Sequence, residues 1–170
     1  MLSKIINFFE LKIPPVAVVI ICVIMMILLS KIKYFTLIHA DISPNYALQA
    51  ITTSIALLIA FIGLSIGIMG LVSFSKAQTT ANPIKIQAAT TLVTKGFCNI
   101  YQLTRNPMYL GLLFILIGFG IFLANILSII SISFYIAYMT KFQIKPEERM
   151  LQKIFGNDFN TYQAKVRRWI

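Results

Sequence analysis

The chain has 170 residues, 58% of them hydrophobic and 12% charged, with a formal net charge of +10. A soluble domain has about a quarter of its residues charged, so this composition, with a mean hydropathy of +0.84, excludes an ordinary soluble enzyme. Much of the basic charge flanks apolar blocks and accompanies no nucleic-acid-binding motif, so it reads as topology signal and contact with anionic lipid headgroups, and no nucleic acid is expected as a partner.

A bilayer core roughly 30 Å thick takes about 20 helical residues to cross, and each crossing must be helical because unpaired backbone groups are costly in lipid. The segment Met1 to Lys12 is mixed and amphipathic, with no cleavable signal peptide evident. The first apolar block runs from Ile13 to Leu29, with Pro14 and Pro15 suited to a helix start. Lys31 and Lys33 close it, and Tyr34 to Asn45 reads as a loop broken at Pro44 and holding the single histidine, His39, as an interfacial residue. A second block, from about Tyr46 to Phe74, is long enough to cross with tilt. Its Gly63, Gly67 and Gly70 fall near one helix face, the pattern of close packing between membrane helices.

Ser75 to Pro107 is polar and basic, with Lys76, Lys85, Lys95 and Arg105, and breakers at Pro83, Gly96 and Pro107; it reads as a cytoplasmic connector. Met108 to Tyr138 is apolar, with Asn125 its only strongly polar side chain, which predicts a helical hairpin turning near that residue. Gly118 and Gly120 within it read as helix packing. From Lys141 to Ile170 charge alternates with Leu151, Ile154, Phe155, Phe159, Tyr162, Val166 and Trp169, the spacing of an amphipathic helical tail. Cys22, in an apolar block, and Cys98, in the connector, suggest neither a disulfide framework nor a metal site.

The expected fold is therefore all-α: a single integral-membrane domain over 1–170, with about four crossings, the last two a hairpin, and an amphipathic tail. Residues 1–74 hold the first two helices and 75–170 the functional core. Lysine and arginine in the connector and the tail put both, with the N-terminus, on the cytoplasmic side.

Two polar clusters flank the hairpin. Arg105-Asn106-Pro107-Met108-Tyr109-Leu110-Gly111 enters it, and Pro146-Glu147-Glu148-Arg149 leaves it. A hairpin returns both to one membrane face, which sets a cation, an amide and an aromatic ring against paired carboxylates. Singly each has a plain reading: Arg105 as a positive-inside anchor, Tyr109 as an interfacial aromatic, Glu147 and Glu148 as the acidic first turn of a helix started by Pro146.

In order, Leu-Val-Thr-Lys-Gly-Phe (Leu92 to Phe97), Arg-Asn-Pro-Met-Tyr-Leu-Gly, an apolar hairpin, Glu-Glu-Arg-Met-Leu, Phe-Gly-Asn-Asp-Phe-Asn-Thr-Tyr (Phe155 to Tyr162) and Val-Arg-Arg-Trp resemble the membrane-embedded methyltransferases. That group includes isoprenylcysteine carboxyl methyltransferase and the phospholipid N-methyltransferases. The resemblance covers about Thr79 to Ile170. Asn106 stands where the family commonly has histidine, as it does in related bacterial and phospholipid-methylating members. The later Tyr and Arg positions match Tyr162 and Arg167 or Arg168.

The resemblance implies an inner-membrane enzyme that uses S-adenosylmethionine and a lipophilic or lipid acceptor, with the cofactor pocket in the C-terminal half and no metal. It implies Arg105 and Glu148 as catalytic residues, and Arg105, Asn106, Pro107, Tyr109, Gly111, Glu147, Glu148 and Tyr162 as cofactor-binding. Arg105 suits the cofactor carboxylate, Glu147 or Glu148 its ammonium or ribose, and Tyr109 its sulfonium or adenine. Prenylcysteine-type carboxyl methylation is the first reading, phospholipid-amine methylation the second, and a non-catalytic scaffold or transporter the third. A transporter should show charged or broken helices at mid-bilayer. The sequence leaves the oligomeric state open.

Overall fold

The computed structural model describes residues 10–32, 46–79 and 100–170, with side chains described to residue 73 in the second stretch. The expected loop with Pro44 and His39, and the connector residues Lys85, Lys95, Pro83, Gly96 and Cys98, lie outside the described residues. The described elements are all helical, in the order α1 (Pro15–Ser30), α2 (Tyr46–Thr79), α3 (Ile100–Leu103), α4 (Pro107–Phe122), α5 (Ser128–Tyr138), a π-helical turn (Met139–Ile144), α6 (Lys145–Phe155) and α7 (Asn157–Lys165).

Helix α2 is the one described helix long and apolar enough for a full crossing, over Tyr46–Ser73; α1 and α4 are apolar but have 16 residues each. Only 17% of the most apolar window of α2 is buried. Leu57, Leu58, Phe61 and Leu64 point outward, each half or more exposed. A core helix of a soluble protein buries such side chains, whereas lipid is their natural solvent.

The outward face leaves α2 a narrow seam for packing, and glycine makes it. Helices α2 and α4 share the most extensive contact in the molecule. A Cβ on Gly111 would lie 2.5 Å from Gly63 O and 2.8 Å from Gly67 N, and one on Gly118 2.7 Å from Ala56 O. Gly63 and Gly70 face α4, as the small-residue spacing predicts, while a Cβ on Gly67 itself would meet nothing within 4 Å. Backbone cannot yield as a flexible side chain does, so Gly111→Ala should destabilise by about 1–3 kcal/mol. Gly67→Ala, in open space on the same helix, should be neutral or stabilising by up to about 1 kcal/mol. Thermal unfolding of the two variants in one detergent checks this; equal shifts would show that the seam is loose.

The core lies between α1, α4 and α5, where Val18, Cys22 and Met26 meet Leu110, Leu113, Leu116 and Tyr135. The expected hairpin is present. Helix α4 ends at Phe122, α5 begins at Ser128, and Asn125 sits in the turn, its Oδ1 accepting from Leu127 N at 2.9 Å.

Glu147 and Glu148 lie in the first turn of α6 with Pro146 before them, as the plain reading has it, and that helix continues without a break from α5 and the π-helical turn. Proline inside a helix lacks an N–H and clashes with the carbonyl four residues back; Pro146 follows directly on the π-helical turn, whose wider winding takes up that clash. The helical tail is in two pieces. Gly156, at φ +53, separates α6 from α7 in a conformation that side-chain-bearing residues rarely adopt, and Val166 turns extended after α7.

Three contacts tie the segment before α1 to this part of the chain. Leu11 N donates to Phe142 O at 3.1 Å, Gln143 Nε2 donates to Ile13 O at 2.7 Å, and Arg149 Nη2 bridges both oxygens of Glu10 at 2.8 Å.

Candidate active site

The hairpin brings the two polar clusters together, with α7 closing over them. A cavity of about 410 Å³, within the usual size of ligand pockets, is lined by Arg105, Asn106, Pro107, Tyr109, Glu147, Glu148 and Tyr162. Seven of the eight residues singled out from the sequence thus share one cavity. Gly111 does not: it lies one turn further along α4, against Gly63 and Gly67 of α2. Sequence reasoning missed Tyr101, Phe159 and the apolar wall of Met150, Leu151 and Ile154 as lining residues. A signal was available, since Tyr101 precedes Arg105 by four residues and Leu151 and Ile154 follow the carboxylates at helical spacing.

The carboxylates divide their work. Glu148 is 12% exposed and meets two guanidinium groups. Arg168 grips it in a fork, Nε to Oε1 at 3.1 Å and Nη2 to Oε2 at 2.7 Å. Arg105 Nη1 lies 3.0 Å from Oε1, close enough for an ion pair but off the axis of a hydrogen bond. Its Nη1 and Nε are buried and make no hydrogen bond. Among the described residues Glu147 has no such cation; it accepts from Tyr109 Oη. Burial pushes its pKa up and the charge of Glu148 adds to the rise, while the Tyr109 hydroxyl partly offsets them. Burial, then the charge of Glu147, also pushes the Tyr101 phenol up to about 12, so it stays a neutral donor.

Asn106 lines the cavity with its side-chain amide tied to backbone beside it. Its Nδ2 donates to Arg168 O at 2.9 Å, its backbone N donates to Thr104 Oγ1 at 3.2 Å, and Thr104 Oγ1 lies 3.3 Å from the same Arg168 carbonyl. Arg105 N donates to Arg167 O at 3.0 Å. The stretch after α7 is therefore a strap laced onto Thr104 to Asn106. Trp169 fastens its far end, its ring stacked obliquely on Tyr135 and its Nε1 donating to Thr140 Oγ1 at 3.2 Å. A neutral amide at position 106 suits this clasp, since it donates at every pH. Tyr162 Oη donates to Tyr101 O at 2.7 Å, which pins α7 to α3.

Described elements that are all helical, an outward apolar face, and a pocket lined by an arginine, tyrosines and carboxylates at one end of a hairpin define a membrane-associated enzyme. The chain belongs to the phospholipid methyltransferase family, whose profile matches residues 51–158, and its class is that of a methyltransferase. Over 63 residues it is 40% identical to an uncharacterized protein of Haemophilus influenzae, a match over 37% of this chain and 100% of that protein. Over 112 residues it is 28% identical to a probable protein-S-isoprenylcysteine O-methyltransferase of Oryza sativa subsp. indica, and equally to one of subsp. japonica. Those matches cover 66% of this chain and 57% of each rice protein. No solved structure matches.

Proposed function

We propose that the chain transfers a methyl group from S-adenosylmethionine to a lipophilic acceptor, with a prenylcysteine-type carboxylate as the first candidate. The observation that carries this reading is a complementary pair of groups in one cavity: an arginine, Arg105, paired with Glu148 but with buried nitrogens that make no hydrogen bond, and a carboxylate, Glu147, with no cationic partner among the described residues. S-adenosylmethionine has a carboxylate and an ammonium on the same carbon, which fits that pair. Bound there, it supplies an electrophilic methyl group on a sulfonium.

The residues present bind and orient. Arg105 takes the carboxylate, held by Glu148, which keeps the guanidinium in place and shares its second role with Arg168. Glu147 takes the ammonium, a duty that the family resemblance left open between the two glutamates. Tyr109 orients Glu147 and presents its ring to the cavity. Pro107 starts α4 under the site, and the clasp of Asn106 holds the strap beside it. The apolar wall of Leu151, Ile154 and Phe159 excludes water and offers a surface to the acceptor's hydrocarbon. A carboxylate or thiolate acceptor needs no general base. The protein's contribution is alignment of the nucleophile with the methyl group.

In this reading residues 1–170 form one membrane domain with four crossings, α1, α2, α4 and α5. The pocket, the strap and the Glu10 segment lie on the cytoplasmic side, where lysine and arginine favour it. The contacts from Leu11 and Ile13 to Phe142 and Gln143 support a shared side. Residues 75–170 carry the pocket.

Titration calorimetry of S-adenosylmethionine into detergent-purified protein tests the cofactor, and methyl transfer to a farnesylated cysteine against an aminophospholipid tests the acceptor. Saturable binding and a methyl ester on the prenylcysteine are expected. No binding to folded protein would overturn the cofactor assignment, and transfer to the lipid amine alone would overturn the acceptor.

A further inference from the structure

At the other end of the hairpin lies a second cavity, of about 570 Å³, between the start of α2 and the turn that joins α4 to α5. Its walls are apolar, chiefly Leu48, Ile117, Ile121 and Ile129, but two polar side chains face it, Asn125 and Ser128, each 3% exposed. Asn125 Oδ1 is engaged by Leu127 N at 2.9 Å, which fixes the amide and leaves its Nδ2 without an acceptor among the described residues. Ser128 Oγ likewise has no partner among them. A third polar group there, Thr52 Oγ1, is already spent on Leu48 O and Gln49 O. Two donors left unmet among hydrocarbon walls are costly unless something entering the cavity accepts from them.

Depth identifies the acceptor. Helix α4 has 16 residues and rises about 24 Å from its start beside the cofactor pocket, short of a hydrocarbon core of roughly 30 Å. On an untilted path the turn stops about 6 Å short of the far edge of that core; local thinning of the bilayer around so short a crossing brings the ester carbonyls of the opposite leaflet down to it, ahead of the water beyond them. We propose that this cavity binds an ester-linked glycerolipid of the leaflet opposite the cofactor pocket. Its acyl carbonyl accepts from Asn125 Nδ2 and Ser128 Oγ, and its chain lies along Ile117, Ile121 and Ile129. The site rests on the four-crossing membrane reading above but not on the methyl-transfer chemistry.

The test compares a diester phosphatidylcholine carrying a photoreactive diazirine in one chain with its diether analogue, which lacks the carbonyl. Both are used at equal dose in phosphatidylcholine vesicles holding the full chain. Labelling of peptides spanning residues 117–132 should be about three- to tenfold stronger with the diester, the worth of one or two hydrogen bonds. Asn125→Leu should abolish that preference and Ser128→Ala should reduce it, with S-adenosylmethionine binding unchanged in both. Equal labelling by diester and diether in the wild type, which needs no variant to fold, would overturn the site. So would a preference that survives both substitutions. A diester preference in protein that binds no S-adenosylmethionine would uphold this site while removing the proposed cofactor.

Discussion

Glu148→Ala should abolish measurable S-adenosylmethionine binding and lower the stability of the protein by about 3–5 kcal/mol, the range for breaking a buried ion pair from one side. The carboxylate is 12% exposed and lies between two guanidinium groups, with the side chain of Arg105 equally buried. Without it, Arg105 and Arg168 face each other across a gap with no counter-charge, and the strap that Arg168 anchors loses its fork. The double variant Arg105→Leu, Glu148→Leu should recover part of that stability, because neither charge is then left buried alone, yet should bind no cofactor. Unfolding curves and calorimetry on the two proteins separate these effects. A loss below about 1 kcal/mol in Glu148→Ala would mean that the pair behaves as a screened surface contact.

Glu147→Gln should move stability and binding in opposite directions. Burial and the neighbouring Glu148 hold the folded-state pKa of Glu147 above its unfolded value. The folded protein therefore keeps the proton to higher pH than the unfolded chain does. Its stability from this group is full below the ordinary carboxylate range and falls as pH rises toward the raised value. Glutamine keeps an oxygen to accept from Tyr109 and removes the titration. The variant should be more stable than wild type at neutral pH and lack that fall. It should bind S-adenosylmethionine about 10- to 100-fold more weakly, the worth of a charged hydrogen bond to the ammonium. Melting temperature across pH, with calorimetry at neutral pH, measures both. A variant that binds as tightly as wild type would move the ammonium away from Glu147.

These two glutamates show how far the sequence could be read. That they meet Arg105 and Tyr109 follows from an apolar stretch interrupted at Asn125, because a hairpin returns the chain to the face it left. Asn125 was legible for a local reason: it is the one strongly polar side chain in about thirty residues, and its amide caps the turn it makes. Gly63, Gly67 and Gly70 were legible through spacing. The division of labour between Glu147 and Glu148 was not, because it depends on Arg168, twenty residues beyond Glu148 and brought back by the break at Gly156. Gly111 lies apart from the cavity because the motif containing it runs from pocket to helix seam within one turn, and sequence order does not record that rotation. Asn106 reads as a site residue by position, yet its amide is committed to a carbonyl 62 residues away. The π-helical turn left no periodic mark, since one extra residue in a winding disturbs an apolar pattern less than a proline disturbs a polar one.

The strap beside the pocket also sets an order of events during folding. Its ties run from Thr104, Arg105 and Asn106 to Arg167 and Arg168, across more than sixty residues of chain, and those of the Glu10 segment to Phe142, Gln143 and Arg149 span more than 120. Helices and their immediate pairings form from local contacts, whereas contacts this distant in sequence form slowly and last. The chain can thus be threaded into the bilayer, its hairpin closed and its glycine seam packed, while the pocket is still open on one side. On the proposed reading, competence to hold the methyl donor would arrive only when the strap docks, and a half-made molecule in the membrane would be inert.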